Sequence, residues 1–237
     1  MASALLVTAI PVVRAGGPLS VFNGQPVKYR TTLPIVYHVD KGAMGSFSNL
    51  VARNLVITSF QEWEDVATAV ITFKLDSLSV DVNGSNFTTY LGTVGGGNYS
   101  DGLNPIIFDH DGSIIDAIIS EGASSNVIGF AGSAYATGGV NAGFYMEGHA
   151  VMNGLMAGTG VNQFSEAEFK STFVHEFGHF IGLDHTQINA VYASDGNTLN
   201  DQYIPTMYPT STDDDTQLGT LNPDDIAAVS RLYPVAS

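Results

Sequence analysis

The chain has 237 residues and carries 8 Lys+Arg against 23 Asp+Glu, a formal charge of −15 at pH 7. So anionic a surface repels phosphate, which argues against nucleic acid and against a membrane as partners. Cys is absent, which excludes disulfides, thiolate metal sites and thiol nucleophiles and leaves any metal to His and carboxylates. The apolar share of 44%, the charged share of 13% and the 26 Gly fit one folded domain, and the scarcity of Lys with plentiful small polar residues resembles a secreted, extracellular protein. The apolar stretch from Ala4 to Val13 is broken by Thr8 and Pro11 and falls short of the ~20 residues that cross a bilayer. It reads either as a signal-peptide core, with Val13 and Ala15 before a cut at Gly16, or as an ordinary N-terminal arm, since no Lys or Arg precedes it.

In chain order, residues 33–40 are rich in β-branched and aromatic residues and predict a strand closed by Lys41-Gly42. From Ser48 to about Thr68, Val51, Leu55, Phe60 and Trp63 recur at spacings of three to five, a helix with one buried face and Ser48 as N-cap. Residues 69–75 and 78–82 read as strands, and the Gly/Asn-rich run 83–104 as turns around a short strand at 87–91. Sequons begin at Asn83, Asn86 and Asn98, where loop composition alone accounts for them. Residues 105–108, 128–136 and 143–152 read as further strands, the last two joined by a turn at 137–141. Ser165-Glu-Ala-Glu168 is a capping box that opens a helix to about Gly182. The final helix has Asn222 as N-cap, Pro223 at its first position, Asp224 and Asp225 at the positive dipole end and Pro234 beyond it. No repeat or linker divides the chain.

His175-Glu-Phe-Gly-His179 lies inside the second of these helices, so two imidazoles stand one turn apart on one face, a spacing that can bind one Zn²⁺. Gly182 ends the helix and His185 follows as a third nitrogen ligand. Three protein ligands leave a fourth position open, which marks a catalytic rather than a structural site. Glu176 sits about 100° around the helix from His175. It can take a proton from an activated water and return it to a leaving amine, which is metal-assisted peptide hydrolysis. By composition H-E-x-x-H is expected roughly 0.004 times in such a chain, and Gly182 and His185 make coincidence rarer still.

His175-Glu-Phe-Gly-His-Phe-Ile-Gly-Leu-Asp-His185 resembles the metzincin metallopeptidase signature H-E-x-x-H-x-x-G-x-x-H at every defined position. Ile204-Pro-Thr-Met207-Tyr-Pro209 resembles the Met-turn of the matrixin branch. More weakly, Phe60-Gln-Glu-Trp63 with Ile71-Thr-Phe73, and Leu221-Asn-Pro-Asp-Asp-Ile226 through Leu232-Tyr-Pro234, resemble the first and closing matrixin helices. The resemblance implies an α+β, zincin-like fold: a twisted, mostly parallel sheet with an antiparallel edge strand, an active-site helix and a C-terminal helix. Residues 128–136 are the expected edge, where an extended substrate would add as a strand. Residues 1–30 would be an arm, signal or pro-segment and 31–237 the catalytic domain. Met207 would form an apolar floor beneath the imidazoles, with Tyr208 and Pro209 beside the substrate.

The departures from matrixins also carry expectations. His185 and Met207 are 22 positions apart, so residues 186–203 read as an inserted loop beside the cleft. Ser211 stands where matrixins commonly place a Tyr in the wall of the S1′ pocket, and Pro209 where astacins and serralysins carry a Tyr. No cysteine switch exists, and His110 and His149 lack the spacing of a structural zinc site, so a single zinc is expected. Secreted metzincins often bind calcium, and Asp109, Asp111 and Asp116 surround a glycine turn that resembles a calcium loop without EF-hand spacing; a solvated acidic turn is the other reading. Asp213 to Asp215 is a weaker case of the same kind. His38 reads as a structural, hydrogen-bonded histidine. The expected function is a secreted, monomeric zinc endopeptidase acting on polypeptides, with His175, His179 and His185 on the metal and Glu176 as base and acid. The alternative is a zinc-holding module of this fold that binds polypeptides without cleaving them.

Overall fold

The computed structural model describes residues 16–91 and 101–235; the signal-peptide reading of residues 4–15 and the sequon at Asn98 lie outside them. The chain opens with a small antiparallel ribbon, β1 (Val21–Phe22) and β2 (Gln25–Pro26). Its turn residues Asn23 and Gly24 have φ of 50° and 76°, the left-handed pair that a two-residue hairpin needs. There follow β3 (Ile35–Val39), α1 (Asn49–Glu64), β4 (Phe73–Leu75), α2 (Phe87–Leu91), β5 (Pro105–Asp109), α3 (Ser113–Ile118), β6 (Gly129–Tyr135), β7 (Tyr145–Asn153), α4 (Glu166–Phe180) and α5 (Pro223–Leu232). The main sheet has the order β4-β3-β5-β7-β6, parallel throughout except for β6, which runs antiparallel to β7 at one edge. Among the described residues the architecture is therefore α+β, with five strands in a mostly parallel sheet, a two-stranded ribbon and five helices.

Both faces of the central strands are covered, as parallel pairing requires. On β5, Ile106 and Phe108 face the main core while Ile107 faces a second cluster; on β7, Ala150 and Met152 divide from Val151 in the same way. That is the two-residue period of a strand sorting one sequence onto two layers. The larger layer holds α1 and α4. Phe60 of α1 stacks on Phe177 of α4 with ring centroids 3.7 Å apart, and the Trp63 indole N–H donates to the Val174 carbonyl at 2.9 Å. Phe173, Val174, Phe177 and Phe180 of α4 are fully buried, each such burial stabilising by about 1.5–3 kcal/mol.

The predicted caps form. Ser48 accepts from the Val51 N–H, and Ser165 and Glu168 make both bonds of the capping box. Asn222 caps α5, with Pro223 at its first position. The first helix stops at Glu64 rather than near Thr68, because the chain turns there and the Ala69 N–H bonds to the Val66 carbonyl.

Two strand expectations are corrected. Residues 87–91 form a helix, not a strand. Asn83 accepts from the Ser85 N–H through its side chain, and its carbonyl takes the N–H of Asn86 and Phe87, so the local turn starts a helix that puts Phe87, Tyr90 and Leu91 on the second cluster. Of residues 69–82 only Phe73–Leu75 joins the sheet as a strand. The Val70 N–H is drawn to the Tyr233 carbonyl, Asp76 folds back onto the Leu78 N–H, and Val80 keeps a single bridge to Asp40.

Gly178 sets how closely α4 packs on its surroundings. A Cβ there would lie 2.2 Å from the Met207 sulfur and 3.0 Å from the Trp63 ring. Gly178→Ala is expected to lower the urea midpoint at unchanged m by the equivalent of about 1–3 kcal/mol. An unchanged midpoint would mean that Met207 moves aside freely.

Candidate metal centre

Helix α4 carries His175 and His179 one turn apart, and the reversal after its last turn brings the third imidazole to them. Gly182 has φ of 98°, and its N–H returns to the His179 carbonyl while the Leu183 N–H returns to Gly178. A side chain at Gly182 would strike the Tyr145 ring at 2.6 Å, so glycine is demanded both by the turn and by the space. His185 is thereby placed with its Nε2 at 3.2 Å from that of His175 and 3.0 Å from that of His179.

The contacts of the other ring nitrogens set the tautomers. His175 Nδ1 lies 2.7 Å from the Thr206 carbonyl and His179 Nδ1 2.8 Å from the Leu183 carbonyl. A carbonyl only accepts, so both Nδ1 atoms carry the hydrogen and both Nε2 atoms present a lone pair. Such a bond also fixes ring orientation and raises ligand basicity. Burial pushes His175 down to about 3, with the neighbouring His179 adding to the effect, and lowers His179 and His185. All three imidazoles are thus neutral at pH 7, ready to act as ligands. Among the described residues, they form a group of three that can hold a metal ion, their ligand atoms all lying within 4.8 Å of one another.

Glu176 is buried beside them. One carboxylate oxygen is held by the backbone N–H of Ala131 on β6, while Oε2 is buried without a hydrogen-bond partner. Desolvation lifts its carboxyl to about 8, only partly offset by the Ala131 N–H.

Below the cluster, Met207 is 1% exposed and lies against Gly178. The segment that carries it is pinned by Asp225 of α5, whose oxygens accept from Thr206 at 2.9 Å, Met207 at 3.1 Å and Asn222 at 2.9 Å. Asp225 thus ties α5 to the carbonyl that orients His175, a role its reading as a helix-dipole charge did not reveal. The Asp-Asp pair after Asn-Pro signalled only the cap.

A pocket of about 340 Å³ opens beside His175 and Glu176, and Tyr208, Pro209 and Ser211 are part of its lining. Residues 186–203 contribute nothing to that lining, so the long loop does not wall this pocket.

Burial raises the Asp109 carboxyl, and the three carboxylates of the calcium expectation lie close enough for Asp111 and Asp116 to raise it further. Asp109 accepts from the N–H of Ile114 and Ile115, Asp111 from Ser113 and Asp116 from Ser124, so all three are engaged in shaping the turn around α3. Asp213 and Asp214 likewise accept from the N–H of Gly196 and Thr216. His38 takes the Asn104 N–H on Nδ1, the structural role expected of it. His110 Nδ1 contacts the Ala43 carbonyl and His149 packs its ring against Phe130.

No family model matches the chain, and no curated protein matches it either. What stands is an α+β fold with a mostly parallel sheet and a three-histidine cluster, both compatible with the metzincin resemblance. Among the described residues no helix is long and apolar enough to cross a membrane.

At pH 7 the raised Glu176 carboxyl holds its proton while the imidazoles are already neutral. A cation at the cluster draws the carboxyl back towards its ordinary range, so cation binding releases about one proton. Calorimetry of Zn²⁺ binding in buffers of different ionisation enthalpy is expected to show that release and its loss in Glu176→Gln. A release unaffected by the substitution would assign the proton to an imidazole.

Proposed function

We propose that the protein is a secreted zinc-dependent endopeptidase. The observation that carries the reading is the convergence of three imidazoles, with the His185 Nε2 at 3.2 Å from that of His175 and 3.0 Å from that of His179, beside a buried carboxylate oxygen with no partner. The donor set fits zinc. Tetrahedral ligands at 2.0–2.1 Å stand about 3.3 Å apart, close to the two spacings measured to His185, and neutral imidazoles without thiolates suit this ion. His175, His179 and His185 would hold it, and zinc bound there supplies Lewis acidity towards a peptide carbonyl and acidifies water.

The remaining work falls to the chain itself. Glu176 takes a proton on Oε2 from the attacking water and passes it to the amine nitrogen as the C–N bond breaks. The Ala131 N–H keeps the other oxygen fixed, so the carboxylate is oriented before substrate arrives. Because that N–H belongs to the edge strand β6, the base is positioned by the same strand that would pair with an extended polypeptide. The neighbouring pocket would receive a side chain next to the cleaved bond.

Hydrolysis of an unstructured protein such as casein, with zinc content measured in parallel, tests the reading. Wild type is expected to cleave with about one zinc per chain, and Glu176→Ala to keep its zinc while losing at least about a hundredfold in rate. Zinc in both with cleavage by neither would favour the binding module; no zinc in either would refute the ligand assignment.

A further inference from the structure

We propose that the pocket beside His175 selects a lysine or arginine side chain on a residue flanking the cleaved bond, with Asp215 as its counter-charge. That a bond is cleaved rests on the peptidase reading; the choice of a cation rests on the pocket. From His175 the lining runs back along α4 to Ser171, one turn or about 6 Å, a reach suited to a long side chain rather than a short one. At that end the Ser171 hydroxyl donates to the Asp215 carbonyl, which fixes Asp215 against the helix. Its carboxylate is held in turn by the Thr212 N–H at 2.6 Å and the Thr212 hydroxyl at 3.2 Å.

No cation in the lining pairs with this carboxylate, which burial raises above its ordinary range while Thr212 and the Ser211 hydroxyl donate to it. The pocket has no Lys or Arg; apart from His175 and Glu176 its polar members, such as Asn126, Thr172 and Ser211, are uncharged until Asp215 is reached. Lys170, the nearby cation on α4, is engaged with Glu62 at 2.5 Å, and Glu168 adds further negative potential at Asp215. An aliphatic side chain filling the pocket would strip water from the carboxylate and offer nothing in return. An acidic one would be repelled, whereas an ammonium or guanidinium makes a charge-assisted hydrogen bond. The net charge of −15 reinforces the same preference at long range.

Peptides that differ only at the two residues flanking one bond, carrying Lys, Arg, Leu or Glu there, provide the test. Wild type is expected to cleave Lys or Arg peptides best at one flanking position. Asp215→Asn should lose about tenfold or more in kcat/KM on them, with the Leu peptide changed by less than about twofold. Cleavage without a basic preference, or an equal loss on every peptide, overturns the proposal and leaves the peptidase reading standing. The same peptides are titrated by fluorescence anisotropy into Glu176→Gln and into Glu176→Gln/Asp215→Asn. Tighter binding of basic peptides that disappears with Asp215, in a protein whose wild type cleaves none of them, supports the pocket assignment while the peptidase reading falls; no basic preference in binding overturns it.

Discussion

The His175 and His179 rings both turn an Nε2 towards that of His185, at 3.2 and 3.0 Å. Several parts of the chain combine to direct them. Each of the two helical histidines has its outer nitrogen tied to a carbonyl, Thr206 for His175 and Leu183 for His179, which leaves the inner nitrogen no hydrogen to donate. The Leu183 carbonyl is available because Gly182 turns the chain back on itself at positive φ. The Thr206 carbonyl is available because Asp225 holds its segment from below. Burial then keeps the rings neutral. Neutral imidazoles held in place this way are preorganised for a metal ion.

Glu176 obeys the same constraint. A fully buried carboxylate with one oxygen satisfied and the other bare would be a defect in an ordinary core. Next to a cation site it becomes, under the proposed function, a positioned proton carrier, raised to about 8 by the desolvation that otherwise penalises it. The antiparallel β6 supplies the N–H that holds it and also forms the sheet edge. Glu176 and β6 are thereby joined to α4, which packs on the main core through Phe173, Phe177 and Phe180.

Where the fold departs from expectation, local turn chemistry outweighs propensity. Phe87-Thr-Thr-Tyr-Leu91 has the composition of a strand, yet Asn83 starts a helical turn just before it, and spacings of three and four put Phe87, Tyr90 and Leu91 on one apolar face. In residues 69–72 and 76–82 backbone groups that could have extended the sheet are taken by Tyr233 and by the Asp76 side chain. A strand needs a partner along its whole length, and composition says nothing about whether one is in reach. Asp109, Asp111 and Asp116 each accept from a different backbone N–H around α3, partners that the row of carboxylates did not reveal.

The amino-acid sequence by itself determined α1, α4 and α5 with their caps, the central strands, and the identity of the three histidines and Glu176, while the edge position of residues 128–136 was an expectation of the metzincin resemblance. These are readable because they depend on spacings within a turn or two: a capping box spans three residues, and a helix places residues four apart on one face whatever surrounds it. Tertiary structure decided which carbonyls set the imidazole tautomers, that Asp225 anchors the segment under the cluster, that Ala131 holds Glu176, and that Asp215 stands at the end of the adjoining pocket. Save for the local Leu183 contact, these join distant residues: Asp225 is 19 positions from Thr206, Thr206 is 31 from His175 and Asp215 is 44 from Ser171. Such pairings arise only when the sheet and α4 have packed, because no local dihedral preference encodes the distance between segments that meet through a shared core.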